Sequence, residues 1–232
     1  MDILDFIFPK FCVNCKKLGS YLCENCFTYL SFDAKSFCLV CGNPSFNGLT
    51  HPVCLGKYTI DGAFSGLNYN QTVKRLVHRF KYDPYIFDLR GFLAEFMFES
   101  IIQIETFNRI LQQDPFSVLV PIPLYGAKFR RRGYNQAEVL ARELAPRLNL
   151  SMLDPLQRIK NTHSQVGLKE KFRKENIAGA FCVKENFSKD LKGKTIFLVD
   201  DVLTTGATLL EGANVLKRAG AKTVFGLTLA RD

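Results

Sequence analysis

Residues 196–208 read Ile-Phe-Leu-Val-Asp-Asp-Val-Leu-Thr-Thr-Gly-Ala-Thr. The apolar run has the pattern of a strand buried on both faces, and it delivers two carboxylates, Asp200 and Asp201, to that strand's carboxyl end. A turn of hydroxyls and small residues follows, and then a helix begins. A helix N-terminus offers free N–H groups and positive dipole, which suits a phosphate. Thr204, Thr205 and Thr208 add hydroxyl donors. Gly206 and Ala207 keep the turn small, and Gly206 lets backbone approach closely. Like charges repel, so the acidic pair does not bind the phosphate itself. It suits sugar hydroxyls, or a Mg²⁺ bridging a polyphosphate. The combination describes a ribose 5-phosphate site. The plainer alternative is an ordinary strand–turn–helix with an Asp cap.

A basic cluster lies upstream: Lys128-Phe129-Arg130-Arg131-Arg132-Gly133-Tyr134-Asn135-Gln136. It follows an apolar strand, Val118 to Pro123, and opens a helix, so it is expected at the same sheet edge as the acidic motif. Arg130, Arg132, Gly133, Asn135 and Gln136 would face a pyrophosphate there, since guanidinium forks suit its oxygens. A solvated basic loop is the competing reading. A third polar set, Arg158, Thr162, Gln165, Arg173 and Asn176, has the length and charge of a mobile lid, or of an exposed loop.

Seven of the eight cysteines fall in the first 54 residues, as Cys12-x-x-Cys15, Cys23-x-x-Cys26, Cys38-x-x-Cys41 and His51-x-x-Cys54. A CxxC turn puts two thiolates on one side, and two turns complete a tetrahedron. Eight ligands would fill two closed, structural Zn²⁺ sites, one Cys₄ and one Cys₃His. Sequential pairing gives two tandem ribbons, and an interleaved arrangement holding one or two ions is also open. A disulfide scaffold needs an oxidising compartment, and the acidic N-terminus is unlike a signal peptide. A redox CxxC would want a thioredoxin-like setting. Cys182, flanked by apolar residues, reads as a small buried core residue.

Two domains are expected: a zinc-binding module over 1–57 and a larger unit over 58–232. In the larger unit, strands are predicted at 63–69, 118–123, 153–159, 180–183, 195–199 and 223–230, and helices at 71–80, 87–104, 136–148 and 208–219. This alternation argues for an α/β fold with a mainly parallel sheet and flanking helices. Ligands in such sheets bind at the carboxyl ends of strands.

The 232 residues are 47% hydrophobic and 23% charged, with 21 Phe and no Trp, so disordered, collagen-like and coiled-coil classes are excluded. No apolar run is long enough to span a membrane, and a cytoplasmic location is expected. The net charge is +9, and the excess lies beyond residue 57. It favours polyanionic partners. Lys74, Arg75, Arg79 and Lys81 form one basic run and Lys128, Arg130, Arg131 and Arg132 another, interleaved with Tyr82, Tyr85, Phe129 and Tyr134. Cationic grooves with aromatics bind single-stranded nucleic acid by backbone charge and base stacking. His78 and His163 receive no role.

The stretch 196–208 resembles the 13-residue signature of type I phosphoribosyltransferases, which bind phosphoribosyl pyrophosphate (PRPP) with Mg²⁺. The resemblance implies that Asp200 and Asp201 hold the ribose hydroxyls and that Thr204, Thr205, Gly206, Ala207 and Thr208 cradle the 5-phosphate. With the Cys knuckles, Val-Pro-Ile-Pro, Arg-Arg-Gly-Tyr-Asn-Gln and Gln-Arg-Ile-Lys-Asn-Thr-His-Ser-Gln, nearly the whole chain is similar to the ComF family. His51 stands where that family more often has Cys. The resemblance implies a zinc-ribbon domain joined to a phosphoribosyltransferase-like fold, acting in natural transformation. It implies handling of imported single-stranded DNA at the inner face of the cytoplasmic membrane, beside a DNA-translocating ATPase of the ComFA type. The alternative function is transfer of ribose 5-phosphate from PRPP to an unidentified acceptor. No residue announces a general base.

Overall fold

A computed structural model describes residues 9–32, 35–82, 88–161, 177–187 and 189–232. Its centre is a five-stranded, all-parallel sheet in the order β1-β7-β6-β2-β3. The strands are β1 (Gly62–Asn68), β2 (Val118–Pro121), β3 (Ser151–Met152), β6 (Thr195–Leu203) and β7 (Thr223–Arg231). A short antiparallel pair, β4 (Leu156–Arg158) and β5 (Phe181–Val183), stands apart from it.

Helix α1 (Glu24–Phe27) belongs to the N-terminal cysteine region. Helices α2 (Gln71–Tyr82), α3 (Asp88–Ile101) and α4 (Glu105–Gln113) lie between β1 and β2. Helices α5 (Gly126–Arg132) and α6 (Gln136–Leu148) carry the chain from β2 to β3, and α7 (Ala207–Arg218) joins β6 to β7. The longer helices bury apolar residues at helical spacing. Val73, Leu76, Val77 and Phe80 repeat at helical spacing on α2 and are buried, and Asn70 caps that helix by accepting from the Thr72 and Val73 N–H groups at 3.0 Å each.

The two sheet faces have separate cores. Phe197 and Val199 join Leu93, Met97, Leu140 and Leu144 on the face covered by α2, α3 and α6. Ile196 and Leu198 join Leu209, Ala213, Leu216, Leu156 and Phe181 on the face covered by α7 and the β4–β5 pair. Thus the helices after β2 and after β6 go to opposite faces. Adjacent strands whose connections diverge leave a crevice at their carboxyl ends, where ligands bind in such sheets.

Several expectations are corrected. Residues 153–159 are not one strand: β3 joins the main sheet, and β4 turns away to pair with β5, because Leu153 to Pro155 intervene. The basic stretch at 128–132 is helical, forming most of α5. The acidic pair lies inside β6, which runs to Leu203 because β7 continues to pair with it. Helix α4 escaped the sequence reading. Cys182 is half-buried on β5.

Two glycines let α7 sit close to the sheet. A Cβ on Gly212 would lie 2.8 Å from a Leu198 methyl, and one on Gly226 would lie 2.7 Å from a Leu209 methyl and 3.1 Å from the Ala63 Cβ. The Gly226→Ala variant is expected to overpack this interface and cost about 1–3 kcal/mol. A lowered urea midpoint checks this, and an unchanged midpoint would show that α7 can shift outward freely.

Candidate ligand cleft and zinc centres

The cleft begins where β2 stops. Its pairing with β6 ends at Pro121 and Val199, the Ile122 N–H makes one last bond to the Val199 carbonyl at 2.9 Å, and Pro123 has no N–H to give. Residues 200–203 of β6 therefore keep β7 on one side and face a cavity of about 550 Å³ on the other. Asp200, Asp201, Thr204, Gly206, Ala207 and Thr208 line it. Gly206 has φ +73° and caps the start of α7, a backbone state that favours glycine. The Thr205 hydroxyl is buried without a hydrogen-bond partner.

The opposite wall is cationic. Lys128 and Arg132 of α5 and Arg158 of β4 line it, with Asn135 and Gln136 at the start of α6. Asn135 is spent structurally: its Oδ1 accepts the Ala137 N–H at 3.2 Å, and its Nδ2 donates to the Ile122 carbonyl at 2.9 Å. It ties the α6 N-terminus to the end of β2. Gly133, at φ +80°, closes α5 as its left-handed cap. Gln136 is 1% exposed. Its Oε1 accepts from Arg132 at 2.9 Å, and its Nε2, buried in the cavity wall, has no partner. A buried amide donor left unmet is costly, and an anion or hydroxyl in the cleft would satisfy it.

Other predicted residues are placed as follows. Arg130 and Arg131 are exposed on α5, and Arg131 lines a neighbouring cavity of about 510 Å³ with Lys81, Tyr82 and Arg132. Lys74 is exposed at the rim of the main cavity. Arg75 donates to Asn14 Oδ1 at 2.8 Å and Arg79 to the Phe11 carbonyl at 3.4 Å, so both turn toward the cysteine region. Thr162, His163, Gln165, Arg173 and Asn176, and also Tyr85, lie outside the described residues. The sequence reading named Tyr82 as a groove aromatic but missed Tyr69, His78 and Asp232 as cavity residues. Only the i, i+4 spacing of His78 and Tyr82, whose rings lie 4.8 Å apart, offered a signal.

Strand alternation sends the two carboxylates to different faces. Asp201 meets α2, where Lys81 Nζ lies 2.8 Å from its Oδ1. Burial disfavours the Lys81 charge, but Asp201 and then Asp200 more than offset this, and its pKa lies above the ordinary value. Asp200 is pushed up to about 7, first by burial and next by the Asp201 charge; the Asp201 N–H, Lys81 and Arg158 offset this only in part. Across the cleft, burial and then Arg158, Arg132 and Arg131 bring Lys128 down to about 8. Each wall thus crowds like charges that a ligand of opposite polarity would relieve.

The sulfur clusters resolve as sequential pairs. Cys12, Cys15, Cys23 and Cys26 form one, and Cys38, Cys41, His51 and Cys54 the other, with the ligand atoms of each within 4.8 Å of one another. A tetrahedral zinc with Zn–S of ~2.3 Å needs sulfurs roughly 3.8 Å apart, so both clusters fit the ion. His51 Nε2–H donates to the Pro44 carbonyl at 3.0 Å, which leaves Nδ1 for the metal, 3.4 Å from Cys41 Sγ. Burial opposes ionisation of Cys12 and Cys38, yet converging backbone N–H groups bring them down to about 6 and about 7. Burial and neighbouring thiols push Cys26 and Cys54 up to about 12 and about 11. Three or four sulfurs so close cannot all ionise unaided, and a divalent ion would supply the missing charge.

The ribbons are not a loose appendage. Cys12, Val13, Leu22, Cys26 and Leu30 are buried in the same core as Phe64, Leu67 and Val73, and Asn14 Nδ2 donates to Thr72 Oγ1 at 2.8 Å.

The raised Asp200 gives a pH signature. Between its ordinary 3.8 and about 7, the folded chain holds a proton that the unfolded chain has released. This group's contribution to stability is present below that window and is lost as pH rises through it. Asp200→Asn is therefore expected to gain on wild type by about 2 kcal/mol as pH rises from 5 to 8. Urea unfolding at both pH values checks it, and no gain between them would mean that the carboxylate is favoured in place.

Comparison with known proteins agrees with this architecture. Residues 131–231 match the phosphoribosyl transferase domain model, and residues 3–55 match the double zinc ribbon domain model. The chain is 30% identical over 228 residues to "Competence protein F" of Haemophilus influenzae, covering 95% of this chain and 90% of that one. It is 29% identical to "DNA utilization protein YhgH" of Salmonella typhimurium, covering 84% of each. It is 29% identical to "Competence protein ComFC" of Bacillus subtilis, covering 91% of this chain and 84% of the other. With both modules matched and the likeness running nearly end to end, the chain belongs to the ComF family, a double zinc ribbon joined to a phosphoribosyltransferase-like domain.

Proposed function

We propose that this chain binds PRPP in the β2–β6 cleft and handles single-stranded DNA in the cytoplasm, in service of DNA uptake. The observation that carries the ligand reading is Gln136. Its buried amide nitrogen, without a partner, lines a cavity with an acidic strand end and a threonine-glycine loop on one side and cations on the other. In this reading the loop residues Thr204 to Thr208 take the 5-phosphate. Asp200 and Asp201 accept from ribose hydroxyls, and Arg132, Lys128, Arg158 and Gln136 face the pyrophosphate. Mg²⁺ enters with PRPP and neutralises part of its charge.

The DNA reading is supported by the names of the relatives and by the basic surface leaving the cleft. The neighbouring cavity of Lys81, Tyr82, Arg131 and Arg132 combines charge with an aromatic ring, and the Arg132 guanidinium lies 5.2 Å from the Tyr82 ring centre. No helix among the described residues is long and apolar enough to cross a membrane. Any place at the inner face of the membrane would come through partners such as a ComFA-type ATPase.

A second reading, turnover, is favoured by the opposition of the two walls. An acceptor nitrogen would donate its lone pair to the anomeric carbon. The C–O bond to pyrophosphate would break, and the departing electron pair would be stabilised by the cations of the opposite wall. The acceptor is unassigned.

The test is fluorescence anisotropy of labelled single-stranded DNA in a salt titration, with Mg²⁺-PRPP as competitor and with PRPP affinity measured in parallel by calorimetry. Binding is expected to weaken steeply with salt and to be displaced by PRPP. Gln136→Leu is expected to weaken PRPP about tenfold. No DNA binding at low salt would overturn the DNA reading, and unchanged PRPP affinity in the variant would overturn the site. Pyrophosphate release with a panel of acceptors decides the second reading.

A further inference from the structure

We infer that the second zinc knuckle is the floor of the threonine-glycine loop, and that Leu39 links metal occupancy there to binding of a sugar 5-phosphate. The inference rests on the loop being a phosphate site. Leu39 lies between two ligands of the second cluster, Cys38 and Cys41. Backbone bonds hold the knuckle from both ends: Cys38 N–H donates to the Asn43 carbonyl and Gly42 N–H to the Cys38 carbonyl, each at 2.9 Å. The Leu39 side chain leaves the ribbon altogether. It is 6% exposed and buried in the core of the other module, among Leu203, Ala207 and Leu209.

Its end touches the loop at the turn. A Cβ on Gly206 would lie 3.1 and 3.3 Å from the two Leu39 δ-methyls. Gly206 therefore answers two demands, its left-handed φ and the leucine beneath it. The loop needs this support because β2 has ended, so no strand among the described residues pairs with Thr204 to Gly206 from that side. The ribbon also holds the far side. Arg231 lies over the Phe37 ring at 4.4 Å, and the next residue, Asp232, donates its N–H to the Leu203 carbonyl at the loop's start. A ligand that binds only the formed loop favours the seated Leu39, and a seated Leu39 favours the closed knuckle. By reciprocity, the metal then favours the ligand by the same factor.

The experiment uses the full zinc-loaded chain and ribose 5-phosphate as probe. Its affinity is measured by calorimetry. Zinc affinity is measured by competition with a colorimetric chelator, and His51→Ala identifies the signal of the second site. Ribose 5-phosphate is expected to tighten zinc at that site about tenfold in wild type. Leu39→Ala is expected to weaken ribose 5-phosphate about tenfold and to remove its effect on zinc, with the zinc content retained. Leu39→Met should keep both properties. Leu22→Ala, which cuts the core under the first ribbon, should lower stability without moving either. A Leu39→Ala variant with wild-type affinity, or a zinc affinity in wild type indifferent to the sugar phosphate, would overturn the inference. If Leu39→Ala does not fold, the wild-type measurement alone decides. Wild type that binds no ribose 5-phosphate would overturn the phosphate-site reading itself, a result visible before any variant is made.

Discussion

The early end of β2 is the constraint on which the cleft depends. A central strand normally has both ladders filled. Here β6 loses one after Val199 because two prolines bracket Ile122 at the end of its neighbour. The last four residues of β6 then keep β7 on one edge and turn the other to a cavity. Everything at the site is arranged around that gap. Asn135 ties the α6 N-terminus to Ile122, α7 starts at Gly206 on the other flank, and Lys81 reaches across from α2 to Asp201. The site keeps an acid pushed up to about 7 and a lysine brought down to about 8 in one cleft. Groups shifted this far within one cleft are more often kept for a ligand than for stability.

The net charge of +9 overstates what faces solvent. Helix α2 reads as a uniform basic run, yet its cations do three different things. Arg75 and Arg79 reach polar groups of the first ribbon. Lys81 pairs with Asp201, and Lys74 remains at the cavity rim. Charge counted along a chain measures attraction for a polyanion only after internal pairing is subtracted. Here the balance moves from α2 toward α5, whose Arg131 and Arg132 line the second cavity.

Much of this was legible. The 196–208 motif placed its strand, loop and helix because buried parallel strands and helix starts have strong local patterns. The ligand spacing of the eight cysteine-region residues gave two zinc clusters, with their pairing left open. What stayed hidden is long-range. Lys81 and Asp201 are 120 residues apart, and Leu39 and Gly206 are still farther. No periodicity joins such positions. Residues 153–159 failed differently: Pro155 divides an extended stretch between two sheets, and extended backbone looks alike in either. Helix α5 was hidden because its last turn is a cluster of like charges that reads as a loop.

A small turn that must present free N–H groups to a ligand cannot be packed from above, so its order has to come from below. A hydrophobic floor alone would need a large rigid element, and 55 N-terminal residues can bury little area for their length. Zinc solves that problem locally, because each cluster fixes four positions of the chain with no core of its own. The leucine inside the second cluster then carries that rigidity to Gly206 through direct contact. Seen this way, the ribbon stands to the loop as a strand stands to its neighbour. It braces the turn from below through Leu39, while leaving the polar face of the turn open to the cleft.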